Sequence, residues 1–264
     1  MFGWMWSVAA ALAGFPVEAP MDLDIHIRMQ GPQRDGGPRG RGPDIAGIDM
    51  ALSCQWGSPT RKGQLLTCRY LSDTVTLWAP PERAPSAEIQ STRLAVDPTV
   101  RVEALFREDG RIRWVQPRGP EQPGLADWTK LALAGLELQR VDGDLPDQPW
   151  AHRGSPLALE LAGTSYQFAT SLAYRCEERQ DGVTTVIGSG RGAVDPQWLA
   201  ERLEDAPTRV DIDADGRWSV DAQGVVQQAS VRLWLTAADG SRPGTVGGQV
   251  LRLTRRNRAD MSTD

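Results

Sequence analysis

Lysine is nearly missing from this chain of 264 residues. Of its 29 basic side chains only Lys62 and Lys130 are lysine, and the others are arginine. Most arginines are spread along the chain among acids, and the formal net charge is −5. No bulk basic field is present to recruit nucleic acid or an anionic bilayer. The denser groups, Arg34 to Arg41 and Arg252 to Arg258, have no aromatic partners arranged to stack on bases. Histidine is equally scarce. His26 and His152 belong to no metal-spaced pair, and no Gly-x-Ser-x-Gly elbow is present. Gly188-Ser-Gly-Arg-Gly192 lacks the Lys-Ser/Thr of a phosphate loop and reads as a flexible turn. No catalytic residue can be named. An enzyme would have to assemble its pair from scattered acids such as Glu103, Glu160 or Asp213.

Long apolar runs are absent too. Phe2 to Phe15 is apolar apart from Ser7, which is too short for a spanning helix. With Ala11-Leu12-Ala13 as a small-residue cleavage site it reads as an export signal over residues 1–20, although a basic n-region is lacking. That implies a periplasmic or secreted protein; a start at Met21 would make it cytoplasmic.

What the chain does contain is period-2 alternation, the mark of strands with one buried face. In Ser165 to Cys176, the side chains of Tyr166, Phe168, Leu172, Tyr174 and Cys176 fall on one side. Asp181-Gly182 then reverses the chain into Val183–Ile187. Leu23, Ile25 and Ile27 alternate likewise, as do Ile48 to Trp56, Leu66 to Tyr70 and Val100 to Phe106. The fold class expected is mainly β: an antiparallel, long-stranded sheet or half-barrel built from hairpins, with one or two short helices. Ala126–Ala134 is one candidate helix, and Asp195–Asp205, with Pro196 at its first turn, is the clearer one. The halves expected are 21–120 and 157–254, with a linker over 121–156 and a disordered tail over 255–264. Asp109-Gly-Arg111 and Asp215-Gly-Arg217, each read as a turn after an alternating strand, suggest a two-fold internal repeat.

Cys54 and Cys68 flank a turn centred near Arg61, which places them opposite each other for a cross-strand disulfide; two buried thiols are the alternative. Cys176 has no evident partner. Asp211, Asp213 and Asp215 precede Gly216 in the way a calcium loop begins, since hard Ca²⁺ gathers several oxygens round a sharp turn. The twelfth position is Ala222 where such a loop needs Glu, so solvent-facing aspartates beside a hairpin turn are the plainer reading. No other cofactor is indicated. Ten tryptophans against four phenylalanines is an excess. Trp218, Tyr166, Phe168 and Tyr174 are candidates to line an apolar ligand, with core packing the ordinary alternative.

Export, long strands and few helices together resemble the lipoprotein-carrier half-barrels of the bacterial envelope. The resemblance is one of architecture and transfers no site. The one-sided strands and the tryptophan excess suggest a non-catalytic, exported protein that binds an apolar, lipid-like small molecule or an envelope partner. The alternative is an interaction module with a fully packed core.

Overall fold

The computed structural model describes residues 20–30, 44–71, 74–79, 90–107, 111–120, 125–136, 145–161, 164–194, 197, 201, 209–239 and 242–256. Alternation becomes strand almost everywhere. Strands β1 (Met21–Gln30), β2 (Asp44–Trp56), β3 (Gln64–Tyr70), β4 (Thr76–Ala79), β5 (Gln90–Arg93), β6 (Arg101–Phe106) and β7 (Ile112–Arg118) precede helix α1 (Leu125–Ala134). Strands β8 (Trp150–Leu161), β9 (Thr164–Gln180), β10 (Val183–Val194), β11 (Arg209–Asp221), β12 (Val226–Asp239) and β13 (Arg242–Arg256) follow it.

These strands form one antiparallel sheet in the order β7-β6-β3-β2-β1-β13-β12-β11-β10-β9-β8. The outer edge of β2 is shared: Leu52–Trp56 pairs with β3, and Gly47–Asp49 pairs with β4, which carries β5. The two ends of the chain meet at the centre, where Ile25 lies opposite Leu253 and Ile27 opposite Leu251. Asp24 and Arg256 add a bidentate ion pair across the same seam.

Side-chain alternation leaves one face apolar. Leu23, Ile25, Ile27, Ile48, Met50, Leu52, Phe106, Ile212 and Leu253 are buried on it, together with Leu131, Leu133 and Leu136 from α1 and the residues after it. Helix α1 touches the edge strands β7 and β8 as well as the central β1 and β13. Laid flat, eleven strands at about 4.8 Å spacing would hold their edges some 48 Å apart. A ten-residue helix is only about 15 Å long. The sheet therefore curls round α1, which fills the inside of the curve.

The structure amends several local expectations. Asp181 and Gly182 have φ of 51° and 76° and form the expected tight turn. Asp215-Gly216 instead lies in the middle of β11, paired with Ser189-Gly188 on one side and Arg232-Val231 on the other. The reversal comes later, where the Asp221 carboxylate accepts from the backbone N–H groups of Gln223 and Val225. Gly188–Gly192 is strand, not a flexible turn, because β10 is paired on both sides. Strand β8 begins at Trp150, inside the stretch read as linker, and runs through Pro156. That is tolerated because β8 is an edge strand and its register with β9 shifts between Arg153 and Pro156. Of the helix expected over Asp195–Asp205, only Gln197 and Glu201 are among the described residues, and the Glu201 N–H donates to the Gln197 carbonyl. The stretch read as an export signal before residue 20, residues 31–43 and residues 257–264 lie outside the described residues.

Candidate functional site

The inner face has an aromatic row near its β8 edge. Tyr174 on β9 lies opposite Trp150 on β8 and Gly188 on β10, and Gly188 lies opposite Gly216 on β11. The two glycines clear the backbone for the rings. A Cβ on Gly216 would stand 2.1 Å from the Trp218 ring, and one on Gly188 would stand 2.8 Å from Tyr174. Trp150 and Tyr174 stack with centroids 5.6 Å apart, and Tyr174 meets Trp218 edge-on at 5.5 Å.

Helix α1 is docked on this row by hydrogen bonds as well as by apolar contact. Trp218 Nε1 donates to the Gly135 carbonyl at 3.1 Å, just beyond the end of the helix. Midway along the helix the Thr129 hydroxyl, fully buried, donates to the Leu125 carbonyl at 2.8 Å and meets the Tyr70 hydroxyl. Burial pushes the Tyr70 phenol up to about 12, against the opposing hydrogen bond with Thr129, so it stays protonated at physiological pH. Trp150 Nε1 is buried without an acceptor among the described residues. Among the described residues this part of the inner face offers apolar walls and neutral hydrogen-bonding anchors.

Of the ligand-lining candidates, Trp218 and Tyr174 are brought into direct contact and are each 1% exposed. Tyr166 and Phe168 belong to β9, and their side chains lie outside the described residues. Trp150, Gly188, Gly216 and Gly135 complete the row. Their roles depend on register, which no local pattern displays. Cys54 and Cys68 face each other across β2 and β3 and are joined by a disulfide, with Cα atoms 4.0 Å apart. Cys176 is a free, half-buried thiol lying 3.4 Å from the Pro146 carbonyl.

The three aspartates lie along β11 at alternate positions, so successive Cα atoms are about 7 Å apart. Asp211 takes Arg209 at 2.7 Å, Asp213 takes Arg191 at 3.1 Å, and Asp215 faces Arg232. No group of three or more His, Cys, Asp or Glu side chains placed to hold a metal occurs among the described residues.

The outer face holds an ionic knot that joins β1, β2 and β4. Asp49 accepts from Arg28 at 2.7 and 3.0 Å and from Trp78 Nε1 at 2.6 Å, and it bonds His26 Nδ1 at 2.8 Å. The guanidinium of Arg28 lies over the Trp78 ring. Burial raises the Asp49 pKa, but the bonds from Arg28, His26 and Trp78 outweigh it and hold the carboxyl below its ordinary 3.8. A carboxylate that is ionised at neutral pH and tied to four donor atoms is a strut between strands.

No protein-family model matches the sequence, and no curated protein matches it. Among solved structures the fold is similar to lipovitellin, in a structure described by its lipid–protein interactions. The TM-score is 0.52 at 12% identity, over 90% of this chain and 25% of that one. The chain thus corresponds to about a quarter of the length of that protein, and the likeness is one of fold.

Proposed function

We propose that the chain is an exported, non-catalytic β protein that holds an apolar, lipid-like molecule against the inner face of its curled sheet. One observation carries the reading: an apolar face extends across the whole curve, and among the described residues a single ten-residue helix, α1, covers it. Displacing α1 would uncover the part of that face it packs against on β1, β6, β7, β8 and β13. The fold likeness to lipovitellin supports the ligand class. The signal-like segment and the Cys54–Cys68 disulfide support an oxidising compartment.

A specific observation favours a second reading, a packed interaction module. Trp218 and Tyr174 are almost completely buried, and the indole N–H of Trp218 already has its acceptor. Mass spectrometry of the protein from its own host separates the two. The carrier should show extra mass in the native spectrum that is lost on denaturation, and a chain starting near Gly14. No added mass, together with no binding of a hydrophobic dye, would leave the interaction module.

A further inference from the structure

The outer face of the same region carries a second site, on the side of the sheet away from α1. Residues of odd number on β9 and β10 point outward here, and across β11 and β12 they continue as Asp215, Arg217, Ser230 and Arg232. Between them lies a partly open cavity of about 700 Å³, within the range of small-molecule sites. Its lining is unlike the chain as a whole. The protein is net negative, yet among the described residues three guanidiniums and a single carboxylate line this cavity.

Only part of this charge is neutralised locally. Arg217 is engaged by Glu177 at 2.6 Å, but no ion pair holds Arg175 or Arg232 among the described residues. Asp215 faces Arg232 across the strands, and burial raises its pKa while the Arg232 charge opposes that shift. Arg232 is itself half-buried. The cavity therefore keeps cationic hydrogen-bond donors with spare capacity. Ser189 and Ser230 add hydroxyls, and Ile187 and Pro149 supply an apolar wall.

We infer that this groove binds an oxyanion, a phosphate or carboxylate, recognised by Arg175 and Arg232 and carried on a small apolar body seated against Ile187. Arginine suits the task because its planar fork matches both oxygens of such a group. Strand register, not a loop, sets where the two arginines leave the backbone. The inference does not depend on ligand binding at the inner face.

The test is calorimetric titration with octyl phosphate, inorganic phosphate and octyl glucoside, with backbone amide NMR to locate binding. Octyl phosphate should shift the amides of Ile187, Ser189 and Arg232. R175Q and R232Q should each weaken it about tenfold, the loss of one charge-assisted contact. D215N should tighten it about threefold by removing a like charge. Tighter octyl phosphate than inorganic phosphate, with octyl glucoside silent, identifies an amphiphile headgroup; equal affinities identify the free oxyanion. Unchanged affinity in R175Q, whose side chain is exposed and whose loss does not threaten folding, would overturn the site. So would shifts confined to Leu133, Gly135 and Trp218, which would place the ligand on the inner face. Failure to find an apolar ligand under α1 would leave the outer-face result standing.

Discussion

Gly216 has no room for a methyl group, because the Trp218 ring lies directly over its backbone. G216A should destabilise the protein by about 1–3 kcal/mol through overpacking, measured by urea denaturation. G188A should cost less, since the nearest atoms belong to the edge of Tyr174 at a longer distance. Asp49 makes a prediction of a different kind. Its folded pKa lies below 3.8, so its stabilisation is present above the unfolded value and fades as pH falls through the folded one. D49N should lose about 1–3 kcal/mol at pH 7, and most of that deficit should vanish in denaturation at the acid end of the folded range. A deficit that did not change with pH would show that Asp49 acts by shape alone.

Among the elements α1 is decisive, since it converts an open sheet into a filled curve. L133A deletes a fully buried contact between helix and sheet and should cost about 2–5 kcal/mol. W218F keeps an aromatic ring on the inner face but removes the bond to Gly135. It should speed hydrogen exchange in the α1 amides, and raise binding of a hydrophobic dye, while the amides of β1 and β13 stay protected. The helix was only half legible in the sequence, where Leu136 and Leu138 continue an alternating pattern past Gly135. Two Asp-Gly pairs show why. Asp181-Gly182 and Asp215-Gly216 carry the same local turn signal, yet the first is a turn with both φ positive and the second is mid-strand. At Gly216 an aromatic ring from the same strand occupies the space above the backbone, so glycine is there for close approach.

On the scale of the molecule, the sheet is sewn at its centre by β1 and β13, from opposite ends of the chain, and clamped toward one edge by Cys54–Cys68. Cross-linking residues 14 apart should contribute about 3 kcal/mol by restricting the unfolded chain, so a C54S/C68S variant should lose about that much in urea denaturation. The sequence by itself determined the fold class, the buried face of most strands, the β2–β3 hairpin with its cysteine pair, and the turn at Asp181. All of these are set by period-2 alternation and turn chemistry within a few residues. Tertiary structure alone decided that the two ends of the chain join one sheet, that α1 fills its curve, and that Arg175 and Arg232 share a groove on the outer face. Each of these rests on register between strands far apart in sequence, and register is fixed only when the whole apolar face closes at once.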